Sequence, residues 1–115
     1  MNRSNLATGL ASLFFATLVL ASAPASADCA EPPPPAIPDG ATAEKDEMLA
    51  IYRDMRSYQG DAQAYLDCLD AQTIANPDVE PEVMLDRLNA YNRTVEKMDE
   101  ISREVHRQLD IFNAR

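Results

Sequence analysis

His106 is the only histidine in the 115-residue chain, and Asp110 follows it by four residues. On a helix that spacing puts imidazole and carboxylate on one face, where they could share a metal ion. One histidine and one carboxylate complete no zinc or copper site without outside ligands, so a solvated histidine on a helix flank is the simpler reading. Two acidic clusters, Asp61, Asp67 and Asp70, then Asp99, Glu100 and Glu104, offer oxygen ligands to calcium. Neither has the spacing of a calcium loop, and acids on helices are ordinarily a solvated face. Ser57 and Ser102 are the only serines beyond residue 27, and Gly40 and Gly60 the only glycines there. No G-x-S-x-G, Walker loop or G-x-G-x-x-G occurs. These residues assemble neither a nucleophile with its base nor a phosphate cradle. The expectation is a protein that is not an enzyme, with no catalytic residues, no metal site and no cofactor.

Cys29 and Cys68 are the remaining reactive side chains, and their chemistry depends on the compartment. Arg3 is the only charged residue before Asp28, and an apolar run from Leu6 to Ala23 leads into Ala25-Ser26-Ala27. This three-part pattern reads as a signal peptide over 1–27, cleaved after Ala27. Its strongly apolar core is shorter than the roughly 20 residues of a membrane span. Asp28 stands where a lipobox wants a small residue before the cysteine. In an oxidising compartment an even cysteine count points to one disulfide, Cys29 to Cys68, with an intermolecular bond as the competing arrangement and no CxxC redox motif present.

Cleavage would remove Arg3 alone among the charged residues, taking the net charge from −9 to −10. Nucleic acid and anionic lipid would both repel such a chain. The sequence therefore predicts an exported protein, periplasmic or secreted, with no membrane insertion after cleavage and no nucleic-acid partner. At this size it forms one domain with a modest core.

The elements that position these groups are few. Residues 28–41 hold five prolines and end near Gly40, which predicts an extended polyproline leg. Residues 42–115 read as a helical hairpin, with helices at about 42–75 and 79–113. Thr42 is the expected N-cap of the first, Asn76-Pro77 breaks it, and Pro81 opens the second. In the first helix, positions 48, 51, 55, 58, 62, 65 and 69 form a heptad seam. In the second the seam falls at 84, 88, 91, 95, 98, 102, 105, 109 and 112, interrupted only by Ser102. The fold class is all-α: an antiparallel, coiled-coil-like two-helix hairpin with the leg packed back on helix 1 and tied by a disulfide.

Lengths support the tie. Cys29 to Thr42 spans roughly 40 Å of polyproline II, and Thr42 to Cys68 roughly 39 Å of helix. Small residues at 43, 50, 57 and 64 leave room beside the seam, so the leg-packing groove is assigned to Ile51, Ser57, Tyr58, Ala64 and Tyr65. This arrangement resembles, in architecture alone, the proline–tyrosine packing of pancreatic-polypeptide hormones. Apolar residues on the other flank, Tyr52, Leu66, Leu85, Ile101 and Ile111, form a candidate interaction surface for a homodimer or an envelope protein partner.

The segments Ile37-Pro38-Asp39-Gly40-Ala41 and Tyr65-Leu66-Asp67-Cys68-Leu69, with Glu47-Met48, Tyr91-Asn92 and Leu109-Asp110-Ile111-Phe112, resemble a group of uncharacterised small secreted proteobacterial proteins. The likeness covers nearly all of the chain after residue 27. It departs at Val105-His106, where Phe-Asn is expected, and at Asp110, where Arg is expected. The resemblance implies an exported helical protein with paired cysteines and implies no catalytic residues. The function expected is a structural or protein-interaction module of the cell envelope; the alternative is an acidic periplasmic protein that binds a cation or other ligand.

Overall fold

A computed structural model describes residues 28–115; the predicted signal segment, 1–27, lies outside the described residues. An extended leg, 28–39, leads into a turn at 40–42, then α1 (Lys45–Ala75) and α2 (Pro81–Asn113), with no strand among the described residues. The helices pack against each other. Arg87 Nη1 donates to the Gln72 carbonyl near the connecting loop, while Arg115 reaches Ala41 and Ala43 at the far end, so they run antiparallel.

α1 begins three residues later than the expected start at Thr42. The Asp39 carbonyl accepts the N–H groups of Thr42 and Ala43 at 3.1 and 2.8 Å, and its carboxylate accepts that of Ala41 at 2.9 Å. The Pro-Asp-Gly turn therefore closes on itself, as aspartate in a turn favours. Glu44 caps the helix instead: its N–H donates to the Glu47 carboxylate at 2.7 Å, and Asp46 and Glu47 sit in the first turn, where the helix dipole stabilises acids. α2 opens with Pro81 at its first position, where a missing N–H is harmless.

All seven expected seam positions of α1 are buried, and Leu66 joins them. α2 differs. Its buried residues are Thr94, Ile101, Val105 and Gln108, whereas Leu88 and Val95 from the expected seam are exposed. The column 91, 98, 105, 112 keeps its place and Leu109 still packs against the core, but 94, 101 and 108 are buried where 95 and 102 were expected. Neighbouring columns lie about 100° apart around a helix, so α2 is turned toward one flank of α1.

The leg is the reason. Cys29, Pro32, Pro35 and Pro38 are each half-buried while Pro33 and Pro34 are exposed, which is the three-residue period of polyproline II laid on a surface. Cys29 bonds Cys68, with Cα atoms 5.7 Å apart. Ile37 packs into the core formed by Met48, Ile51, Met55 and Tyr58 of α1 with Ile101 and Val105 of α2. A Cβ on Gly40 would fall on the Gln108 carbonyl oxygen and lie 3.1 Å from the Phe112 nitrogen, so the leg ends with backbone against the backbone of α2. The leg therefore wedges into the groove between both helices instead of lying on α1 alone. α2 faces two neighbours, and its buried stripe shifts toward the leg.

Polar groups inside this contact are paired. The Gly40 N–H donates to Gln108 Oε1 at 2.7 Å, and Gln108 Nε2 donates to Glu104 Oε1 at 2.9 Å. Arg107 donates twice to the Glu104 carboxylate, at 2.6 and 2.9 Å. The Arg107 bond first, then that from Gln108, hold the Glu104 carboxyl down at about 2. Thr94 Oγ1, buried among apolar side chains, donates to the Ala90 carbonyl at 2.9 Å.

The two glycines should respond oppositely. Gly60 sits mid-α1 with open space around its missing Cβ, so Gly60→Ala should stabilise by about 1 kcal/mol, the propensity difference. Gly40→Ala should destabilise by more than that and lower the melting temperature, because the leg must withdraw from α2. Thermal unfolding by circular dichroism measures both; a neutral Gly40→Ala would contradict the close approach. Cys68→Ser opens a covalent loop of sequence separation 39. It should remove about 4 kcal/mol by the chain-entropy relation and expose the leg to proteolysis between Ala30 and Asp39. Equal melting temperatures and equal digestion rates for oxidised and reduced protein would contradict this.

Candidate interaction surface

The groups that could do chemistry are engaged locally or stand alone. His106 Nδ1 lies 2.6 Å from the Ser102 carbonyl, one turn back, which sets the proton on that nitrogen. The second acidic cluster is dispersed into three ion pairs along α2: Asp99 with Arg103, Glu100 with Lys97, and Glu104 with Arg107. In the first cluster, Asp67 accepts from Gln63. Among the described residues no three His, Cys, Asp or Glu side chains converge as metal ligands. Tyr58 titrates above its ordinary value because burial disfavours the phenolate, with the Glu31 carboxylate of the leg adding to the shift and Lys97 opposing it. That places leg, α1 and α2 around one phenol.

Of the groove residues assigned to the leg, Ile51, Tyr58 and Tyr65 are buried, but Ser57 and Ala64 are exposed. Ala43 is buried and Ala50 half-buried, and Ala36, Ile37 and Pro38 border Glu47, Ala50, Ile51 and Asp54, so the leg follows the first part of the small-residue stripe and leaves Ser57 and Ala64 open. The expected interaction surface does not assemble either. Tyr52 and Leu85 are 42% and 55% exposed, Ile111 is half-buried, and Leu66 and Ile101 are 3% and 5% exposed, inside the hairpin. The turn of α2 that carries Ile101 inward is the same one that carries Val95 outward.

A different surface results. On the flank opposite the leg, a shallow groove runs between the helices. Gln59, Gln63, Leu66, Asp70 and Thr73 border it from α1, and Met84, Leu88, Tyr91, Val95, Met98 and Ser102 from α2. The α2 wall is six consecutive positions of the heptad column expected at the intramolecular seam. Leu88 and Val95 are 54% and 45% exposed. The charged residues on the lining are Asp70, Arg87 and Asp99, of which Arg87 reaches the Gln72 carbonyl and Asp99 pairs with Arg103. An apolar strip of this length on an otherwise highly charged protein has the character of a contact surface.

Truncations separate this strip from the core. Leu66→Ala and Ile101→Ala should each cost about 2 to 4 kcal/mol, as buried aliphatic deletions do, and Leu88→Ala and Val95→Ala about 0.5 or less. Urea unfolding of the four variants measures this; comparable losses at Leu88 and Ile101 would put both in the core. Comparison with known protein families, with characterised proteins and with solved structures finds no match to this chain.

Proposed function

We propose that the chain is an exported, non-enzymatic module of the cell envelope that acts by binding protein, either a second copy or an envelope partner. The observation that carries this reading is the groove flank of α2, where Leu88 and Val95 lie exposed at heptad spacing beside half-buried Met84, Tyr91 and Met98. Coiled-coil columns are knobs that require a facing helix, and a helical partner is what such a strip fits. Export is supported by the composition of residues 1–27 and by the Cys29–Cys68 bond, which suits an oxidising compartment. Among the described residues no helix is long and apolar enough to cross a membrane. The net charge after cleavage, −10, disfavours nucleic acid and anionic lipid as the partner.

Protein isolated from its native host tests both halves of the reading. Intact-mass measurement should find an N-terminus at Asp28 with the two thiols oxidised; retained Met1, or lipid on Cys29, overturns export. A photoreactive side chain at Val95 should yield a covalent protein adduct of discrete mass in living cells. The same group at exposed Arg53, on the outer face of α1, should yield none. Equal adduct patterns, or none at either position, overturn the interaction reading.

A further inference from the structure

The open groove has the dimensions, chemistry and periodicity of half of a four-helix interface, and we infer that its occupant is a second copy of this chain. The inference rests on the interaction reading above and names its partner. The heptad column of α2 restricts the occupant to helices, because knobs at 3-4 spacing fit holes between helical side chains and not an extended strand. The leg is an internal example of an extended segment bound to this hairpin, and it lies on the other flank. Residues 50 and 54, beside the leg, and residues 59 and 66, on the groove side, sit on opposite sides of α1 at about 100° per residue.

Area then favours a matching hairpin over a single helix. The lining from Met84 to Ser102 spans roughly 27 Å of α2, and two packed helices are roughly 20 Å across, so the face offers roughly 540 Å². Laid on its own copy about a two-fold axis, it buries about 1,100 Å² in total, just above the roughly 1,000 Å² that a specific interface needs. A lone helix in the groove would cover about half of that. Two antiparallel hairpins joined in this way are a four-helix bundle, whose core would take up Leu88 and Val95.

Charge agrees. A quarter of the chain is Asp, Glu, Lys or Arg, yet the groove carries Gln59, Gln63 and Ser102 around its apolar floor, and its Asp99 is paired with Arg103. Over the whole lining the charged residues are Asp70, Asp99 and Arg87, a net −1 against the −10 of the processed chain, so little like charge lies on the face that two identical molecules would share. The −10 on each copy acts only at longer range, where salt screens it.

Sedimentation equilibrium of the processed, disulfide-bonded protein tests the self-pair from about 1 to 100 µM, the range where an interface of this size associates. The weight-average mass should rise from one copy toward two, and the dissociation constant should fall at least threefold between low and high salt. Leu88→Glu and Val95→Glu should each weaken association at least tenfold with helicity and melting temperature unchanged, since both side chains are about half exposed. Ile74→Glu adds the same charge at a residue 81% exposed and outside the groove, and should leave the dimer intact. A wild-type monomer across the range overturns the self-pair. So does a dimer indifferent to both groove substitutions, or equal loss with Ile74→Glu, which would mark repulsion alone. A wild-type monomer that still gives a discrete Val95 adduct in cells would overturn this inference and leave the interaction reading standing.

Discussion

Gly40 lies directly on the backbone of α2 at Gln108 and Phe112, and the rest of the packing follows from that approach. Only a residue without Cβ brings two backbones this close. Once the leg is seated there and bonded at its other end through Cys29 and Cys68, it is held at both ends of a nearly straight run. The material between has little freedom to lose, because prolines fix φ and polyproline II is already extended in the unfolded chain. A third element is thus built beside two helices from a dozen residues. Where the leg ends its backbone is paired: the Asp39 carbonyl accepts the Thr42 and Ala43 N–H groups, and the Gly40 N–H donates to Gln108.

That wedge explains why polar residues occupy the inner face of α2. Gln108 is buried with its side-chain Oε1 accepting the Gly40 N–H and its Nε2 donating to Glu104. A leucine of similar volume would fill the space and strand the Gly40 donor, whose desolvation costs more than the added burial gains. Glu104 and Arg107 complete the set from the solvent side, and their exposure means the network orients Gln108 more than it adds stability of its own.

The chain breaks and the α1 face were legible because the apolar residues of α1 follow one simple periodicity. Seven apolar residues at 3-4 spacing had a single face to bury, and all of them are buried. Asn76-Pro77 and Pro81 mark chain breaks by covalent geometry, independent of packing. The start of α1 was misread because Thr42 is an adequate cap in isolation, while the Asp39 turn just before it uses the same amides. The phase of α2 was misread for a deeper reason. The column 84 to 112 is more regular than the true one, which is interrupted by Arg87, Thr94 and Gln108. Hydrophobic regularity reports that some apolar partner exists, not which one, and a helix with two neighbours presents a wider and more mixed face than a seam.

The same asymmetry organises the molecule along its length. The leg reaches no further than Cys68, so the core of Ile37, Met48, Ile51, Met55, Ile101 and Val105 lies toward the Gly40 end, where three elements meet. Beyond Cys68 only two helices remain, and there Ile74, Val83, Leu85 and Leu88 stay exposed. A pair of helices without a third layer buries one stripe each, and local stability falls with it. The ion pairs do not compensate, because the three on α2 join neighbours three or four residues apart between Lys97 and Arg107, away from this end, and add little each. The distal half of this hairpin therefore combines the least internal support with the most regular apolar column. On the other flank the chain supplies its own third element at the cost of a disulfide and five prolines; on this flank it supplies none, and a facing pair of helices is the element that its spacing fits.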